Sequence, residues 1–304
     1  MNLSPNLRGN LFMVIATACF AMNDAITKFV SSEINFGQVM LVRSTFAMVL
    51  IGGLALRSGA MQPLRTLLLP PIGLRVVCEV GGAITFLTAI THLPLANTYS
   101  IFQALPLAVT LGAVAAFGEH VGWRRWLAIA VGFIGVLVIV RPGLAGFNQH
   151  SLLVLASVVL CAIRDLATKS IPRGVPSLFV TLLTTVSVGA SGAMLLEPLG
   201  GWSPMSGRTL ALLTVAGILL PIGYNCIILA LRVGDISAVA PFRYTALIWA
   251  IVIGYLVFDE VPDAMMLTGA FMIVGSGLYA LYRERIRDEN RPAATASSLP
   301  PDGM

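Results

Sequence analysis

Long apolar blocks separated by short polar or charged breaks run along most of this 304-residue chain. A bilayer core of about 30 Å takes about 20 helical residues, and ten blocks approach that length. They lie at about 11–29, 35–56, 72–91, 95–117, 124–140, 151–170, 177–196, 209–231, 237–258 and 265–282. Lipid offers no partner to an open backbone N–H or C=O, so each block is predicted to be an α-helix. The sequence therefore predicts an all-α polytopic membrane protein with ten transmembrane helices.

The composition excludes several other classes. Hydrophobic residues make up 57% of the chain and charged residues 11%, whereas soluble domains carry about 25% charged residues. The net charge of +5 comes from bases that stand singly or in pairs between the blocks. This distribution indicates that the bases set the orientation of the helices in the membrane, and it argues against a nucleic-acid-binding surface. The four cysteines lie inside apolar blocks without CxxC spacing, so neither a disulfide framework nor a metal site is expected.

The Lys and Arg residues between the blocks and near their ends predict the orientation. With ten spans both ends of the chain share one side, and thirteen of these bases fall there. Three bases, Lys28, Arg141 and Arg208, fall on the other side. The positive-inside rule then places both termini, residues 1–10 and 283–304, in the cytoplasm. The polar composition of 283–304 predicts a disordered tail.

An internal repeat appears when the sequence is shifted by 141 positions. FAMNDAITKFV at 20–30 aligns with CAIRDLATKSI at 161–171, and Glu119 falls on Glu260. The chain is thus predicted to consist of two five-helix halves, 11–142 and 151–282. Because five is odd, the second half crosses the membrane in the opposite sense. Inverted repeats of this kind place a site near the midplane and alternate its exposure.

Two stretches carry a resemblance to a known family. They are LPLANTYSIFQALPLAVTLGAVAAFGEHVGWRRWLAIAVGFIGVLVIVRP (93–142) and GDISAVAPFRYTALIWAIVIGYLVFDEVPDAMMLTGAFMIVGSGLYAL (234–281). Each joins an apolar helix with an acidic end to a final helix that contains glycine. Over residues 8–283 the chain resembles the EamA-type branch of the drug/metabolite transporter superfamily. The halves differ where Leu247 replaces Pro106 and Pro241 stands earlier, which predicts asymmetric bending.

This resemblance implies a bacterial inner-membrane transporter of a small organic metabolite. Helices 1, 3, 4, 6, 8 and 9 would surround a central cavity, and helices 5 and 10 would be peripheral. It implies no metal and no cofactor, and the sequence contains no motif for either. Among solutes of similar family members riboflavin ranks first, followed by amino acids and S-adenosylmethionine-type compounds. The direction of transport, the coupling ion and a homodimer stay open.

Charged residues near the helix ends are candidates for gating. Asp24 and Lys28 are spaced i,i+4, as are Asp165 and Lys169, so each pair shares one helix face. One interpretation is a self-neutralised helix end, and the other is a gate at each mouth of the transporter. Glu119 and Glu260, at the C-terminal ends of helices 4 and 9, oppose the helix dipole. They are interpreted as conformational elements at opposite faces.

Three deeper charges are candidates for coupling or for interhelical glue. An Arg43–Glu79 pair between neighbouring helices is predicted, chiefly in a structural role. Glu79 is also a candidate proton carrier, because burial disfavours its charged form. Arg164 has no charged counterpart in the first half, where Asn23 stands, and an anionic or polar solute needs such a cation.

Aromatic and polar residues of helices 4, 8 and 9 form the predicted substrate-binding set. Such residues stack on a planar ring and bond its polar edge, although packing and interhelical glue are equal alternatives. The set comprises Tyr99, Phe102, Gln103, Tyr224, Asn225, Phe242, Arg243, Tyr244 and Trp249.

The leading hypothesis is a secondary transporter or facilitator, and two other classes of protein compete with it. An intramembrane enzyme for lipid-linked substrates needs clustered carboxylates, His or Cys at one face. The three histidines, His92, His120 and His150, lie in different connections and argue against an enzyme. A sensor or assembly partner without transport activity is the second rival.

Overall fold

Ten helices form the described part of this computed structural model, which covers residues 4–63, 65–66, 69–118, 122–143, 147–172, 174–233 and 239–289. The first half contains α1 (Pro5–Val30), α2 (Phe36–Arg57), α3 (Pro70–Ile90), α4 (Leu95–Phe102 and Leu105–Phe117) and α5 (Trp123–Val140). The second half contains α6 (His150–Lys169), α7 (Ser177–Leu196), α8 (Gly207–Val233), α9 (Ala240–Tyr244 and Thr245–Phe258) and α10 (Ala264–Glu289). Within these ranges no strand is present. Glu119 lies outside the described residues.

Nine of these helices are long and apolar enough to cross a membrane, and α5 carries a shorter apolar stretch, Trp126–Val140. The prediction of an all-α polytopic membrane protein is confirmed. Predicted and observed helix ends differ most at α10, which continues to Glu289 instead of ending at 282. The sequence from 283 to 289 is charged but contains neither Gly nor Pro, so nothing stops the helix there. Residues 290–304 of the predicted tail lie outside the described ranges.

Helices from different halves pack against each other in pairs that the repeat relates. The α1–α8 contact and the α3–α6 contact are equivalent, because α1 corresponds to α6 and α3 to α8. The α2–α7, α4–α9 and α5–α10 contacts each join a helix to its own counterpart. This pairing is what two inverted five-helix repeats produce, so the core lies between the halves and each half completes the other.

The fourth helix of each half is discontinuous at the same point. A turn at Gln103 and Ala104 divides α4 just before Pro106, which has no N–H to bond the preceding turn. In α9 a 3₁₀ segment ends at Tyr244, which is the repeat equivalent of Gln103 because 103 plus 141 is 244. The Gln103 side-chain amide donates a hydrogen bond to the Tyr244 carbonyl at 3.3 Å. The two breaks therefore touch, although their prolines stand at different positions.

Glycines set the distance between α5 and α10. A Cβ added at Gly269 would lie 2.5 Å from the Gly135 carbonyl oxygen, and one added at Gly135 would lie 2.8 Å from that of Gly269. Backbone atoms cannot move aside as a flexible side chain can. Gly275, on the same helix as Gly269, meets nothing within 4 Å and is exposed.

We expect Gly269→Ala to lower the melting temperature of the purified protein in detergent micelles, since the added methyl group forces α5 and α10 apart. Gly275→Ala on the same helix is the matched control. It is expected to leave the melting temperature unchanged or raise it slightly, because alanine favours a helix by about 1 kcal/mol over glycine. Equal melting temperatures for the two variants would argue against the close contact.

Candidate functional site

An ion pair ties three elements together at one end of the bundle, called here the Lys28 end. The Lys28 ammonium lies 2.5 Å from Glu260 Oε1 and 2.5 Å from the Leu93 carbonyl oxygen. Glu260 Oε2 accepts the Leu95 N–H at 2.6 Å and so caps the first turn of α4. Both charged side chains are mostly buried, with exposed fractions of 13% and 16%. This pair joins α1, the end of α9 and the start of α4.

Asp24 points to α4 and not to Lys28. It accepts hydrogen bonds from the Tyr99 hydroxyl at 2.7 Å and from the neighbouring Asn23 amide at 2.9 Å. The predicted self-pairing of Asp24 with Lys28 is therefore not what the side chains do. Asp24 and Lys28 share one face of α1, but each side chain bonds a residue outside α1.

Arg43 is buried near Asp24, and its hydrogen bonds to neighbouring side chains are long. Its Nη1 lies 3.2 Å from Thr27 Oγ1 and 3.5 Å from Asn23 Oδ1, both of which are neutral oxygens. Its Nε has no hydrogen-bond partner among the described residues, although the side chain is only 6% exposed. Asp24 interacts with Arg43 electrostatically without a direct bond. Arg43 thus retains unused donor capacity.

A second charge cluster lies between α3 and α6. Glu79 pairs with Arg164 at 3.4 Å and with Arg75 at 3.8 Å, and Arg164 also pairs with Asp165 at 2.8 Å. The predicted Arg43–Glu79 pair was wrong, because α3 packs along α6 of the other half and turns Glu79 toward Arg164. Lys169 is exposed at the end of α6.

Aromatic contacts join α1 to α8 and α3 to α4. Phe20 of α1 meets Tyr224 of α8 edge to face, with ring centroids 5.2 Å apart. Phe86 of α3 contacts Tyr99 at 6.3 Å and Phe102 at 5.1 Å. Phe20 and Phe86 were not in the predicted set. The sequence could have indicated Phe20 as a site residue, because it precedes Asp24 by four residues and shares its helix face.

The remaining predicted binding residues do not converge on one point. Gln103 and Tyr244 are buried, and the Tyr244 hydroxyl lies against Gly277 of α10 without a hydrogen-bond partner among the described residues. Arg243 is exposed, and Phe242 packs against the cluster that contains Met13 and Ala230. The aromatic residues of α1 and α8 contact each other, as do those of α3 and α4, so they form a better-defined candidate for a solute-binding group than the predicted residues of α9.

Trp249 and Asn225 complete the predicted set. Trp249 packs against the largest apolar cluster, and its indole N–H has no partner among the described residues. Asn225 is exposed at the helical spacing of Ile218, Ile222 and Leu229, which are exposed as well. That stripe faces away from the helices that pack on α8.

The described residues show no metal centre, and six of them line a surface depression. No group of three or more His, Cys, Asp or Glu suitable for a metal ion occurs among them. The depression opens at the Lys28 end and contains none of the predicted binding residues. It is lined by Ser31, Asn35, Phe36, Thr91, His92 and Leu199.

Outside the membrane spans, Asp263 begins α10 at the Lys28 end. Its carboxylate accepts the Met266 N–H at 2.7 Å and bonds Arg141. The Met266 N–H bond is the main reason that the pKa of Asp263 lies below its usual range. This carboxylate is 53% exposed, so its pair with Arg141 is worth little compared with a buried pair.

Two inverted repeats with discontinuous helices that meet in the middle define a membrane transporter architecture. The chain belongs to the EamA-like transporter family, whose family model matches residues 7–141 and again residues 150–282. The resemblance seen in the sequence and the prediction of a membrane transporter are confirmed.

Named relatives and a solved structure agree with this assignment. The chain is 32% identical to a riboflavin transporter of Vibrio cholerae, with 88% of this chain and 91% of the relative covered. It is 25% identical to an S-adenosylmethionine uptake transporter of Rickettsia prowazekii, with 93% and 95% covered. One crystal structure superposes with a TM-score of 0.63 at 16% identity, over 92% of this chain and 97% of the other, and supports the fold.

Proposed function

We propose that the chain is a secondary transporter or facilitator of a small organic metabolite in a bacterial inner membrane and works by alternating access. The observation that carries this proposal is the contact between Gln103 and Tyr244, which joins the breaks of α4 and α9. Discontinuous helices near the membrane midplane are where such transporters bind their solutes. The breaks also lie where the two repeats meet, so a rocking motion of one half against the other changes the exposure of the site.

The charge distribution sets the orientation in this proposal. With both termini in the cytoplasm, the Lys28 end faces the periplasm and the Lys169 end faces the cytoplasm. The Lys28–Glu260 pair then holds the periplasmic mouth closed. The Arg164–Glu79 pair belongs to the cytoplasmic half, and Glu79 and Asp24 are the candidates for proton coupling.

Riboflavin is the favoured solute. The 32% identity to a riboflavin transporter supports it, as do the aromatic contacts made by Phe20, Phe86, Tyr99 and Tyr224. An aromatic pair contributes about 0.5–1.5 kcal/mol beyond the stabilisation from its buried area. A planar solute ring can make the same kind of contact with these side chains. An S-adenosylmethionine-type metabolite is the alternative, supported by the second relative.

A ligand-stabilisation screen on the purified protein, followed by uptake into liposomes, tests the proposal. Riboflavin at 100 times its dissociation constant is expected to stabilise the protein by about 2.7 kcal/mol and to raise its melting temperature. Liposomes that contain the protein should accumulate riboflavin faster than empty liposomes. Liposomes that move no solute would favour a sensor, and turnover of a lipid-linked compound would favour an enzyme.

Two substitutions test the predicted binding residues of α9. If Arg243 and Tyr244 bind the solute, Arg243→Ala and Tyr244→Ala should each abolish the riboflavin-dependent rise in melting temperature. The melting temperature without ligand is the control, because Tyr244 also packs on Gly277. A rise that persists in Arg243→Ala would remove this exposed residue from the site.

A further inference from the structure

Tyr224 is unusually accessible for its position on α8. It follows Gly217 by seven residues, or two helical turns, and so shares the face on which Gly217 packs against the Arg43 carbonyl oxygen. A Cβ added at the adjacent Gly223 would lie 3.1–3.3 Å from the Phe20 ring. Although this face is turned to α1 and α2, Tyr224 is 37% exposed. An opening therefore lies next to Tyr224 on the inner side of the helix.

The same opening is bordered by both charge clusters. Glu79 and Arg164 of one cluster and Arg43 beside the other all lie within electrostatic range of the Tyr224 side chain. These residues come from α2, α3, α6 and α8, and Phe20 adds α1. Tyr224 therefore lies close to residues of both repeat-related pairs, α1 with α8 and α3 with α6.

Arg43 and Asp24 offer complementary hydrogen-bonding groups at this point. Arg43 has an unpartnered Nε and two long bonds to neutral oxygens, so it gains from a stronger acceptor. The Asp24 carboxylate accepts from Tyr99 and Asn23 and keeps further acceptor capacity. A donor and an acceptor side by side match a ring edge that carries a carbonyl oxygen next to an N–H.

The charges around the opening balance. Three cations, Arg43, Arg75 and Arg164, stand with three carboxylates, Asp24, Glu79 and Asp165. A solute with a net charge would leave that charge uncompensated in a region away from bulk water, which is costly. The arrangement accordingly favours an uncharged solute over a cation or an anion.

Resting on the transport function proposed above, we propose that Arg43, Asp24 and the Phe20–Tyr224 pair form the binding site for an uncharged planar heteroaromatic solute. The ring lies against Phe20 and Tyr224, and its polar edge bonds Arg43 and Asp24. Arg43 is in this view a solute-binding residue, and the balance of the surrounding charges selects against charged relatives of the solute.

Equilibrium dialysis with the full-length protein in detergent micelles tests the site with three probes. Riboflavin is uncharged, riboflavin phosphate adds an anionic group to the same ring, and S-adenosylmethionine carries a net positive charge. We expect riboflavin to bind and the two charged probes to bind at least about 100-fold more weakly, because each brings an uncompensated charge into the site. Binding of S-adenosylmethionine or riboflavin phosphate as tight as that of riboflavin would overturn the selection by charge.

Matched variants separate this site from the transport function itself. Arg43→Lys keeps the charge and loses the guanidinium fork, and Tyr224→Ala removes the ring; each should raise the riboflavin dissociation constant about tenfold or more. Their controls are Arg57→Lys, at the exposed end of the same helix, and Tyr279→Ala, an exposed tyrosine on α10. Both controls should bind like the parent protein.

The possible failures are distinguishable. If the parent protein transports riboflavin and both Arg43→Lys and Tyr224→Ala bind it normally, the site is wrong and the transport function stands. If the parent protein in liposomes moves none of the three probes, the transport function and the site fall together. Thermal melting without ligand identifies a variant that has simply unfolded. Riboflavin binding by the other variant then tests the proposed site.

Discussion

Glu260→Gln is expected to destabilise the protein strongly and to open its Lys28 end. The substitution leaves the Lys28 ammonium buried without its counter-ion, and losing one partner of a buried pair costs about 3–5 kcal/mol. Glutamine still accepts the Leu95 N–H and so keeps the cap on α4. The measured loss therefore reports the missing negative charge alone. A lower melting temperature and altered riboflavin uptake in liposomes are the expected readouts.

A double variant distinguishes a coupled pair from two independent side chains. Lys28→Met together with Glu260→Gln removes both charges, so the loss should be smaller than the sum of the two single losses. An exchange of the two residues is expected to rescue little, because Glu at 28 would face the Leu93 carbonyl oxygen and Lys at 260 would face the Leu95 N–H.

Asp263→Asn is the matched control at the same end of the bundle. This carboxylate is half exposed and asparagine still accepts the Met266 N–H, so only the exposed pair with Arg141 is lost and the expected cost is about 0–1 kcal/mol. Because the folded protein holds the pKa of Asp263 below its usual value, that stability is present at neutral pH. It is lost as the pH falls below the ordinary value of about 4 through the lower folded value. An effect of Glu260→Gln no larger than that of Asp263→Asn would contradict the stabilising role of the buried Lys28–Glu260 pair.

The fold was accessible from the sequence because lipid leaves the chain few choices. Apolar length fixed the ten helices, and the shift of 141 that brings Glu119 onto Glu260 revealed the two halves. The same shift relates Gln103 to Tyr244, yet comparing Pro106 with Leu247 suggested unequal bends. Proline is only one way to interrupt a helix, so the equivalent break in α9 was visible only in the structure.

The partners of the charged residues were not accessible in the same way. Spacing along one helix suggested Asp24–Lys28, and neighbouring hairpin helices suggested Arg43–Glu79. The actual partners, Tyr99, Glu260 and Arg164, lie on helices that are distant in sequence. Inverted repeats make their main contacts between the halves, and periodicity within one segment carries no information on which distant helix lies opposite.

Arg164→Gln is expected to destabilise the protein more than Arg75→Gln, although both arginines pair with Glu79. Arg164 lies 3.4 Å from Glu79 and 2.8 Å from Asp165, so its loss leaves two carboxylates close together, at a cost of about 3–5 kcal/mol. After Arg75→Gln, Glu79 keeps Arg164, and the cost should be about 1 kcal/mol since that pair is 3.8 Å apart. Thermal melting in detergent micelles measures both, and adding Glu79→Gln to Arg164→Gln should recover part of the loss by removing one of the two carboxylates that Arg164 compensates. Equal losses for the two arginine variants would mean that Glu79 is held no more firmly by α6 than by its own helix, and the α3–α6 cluster would then not be a unit.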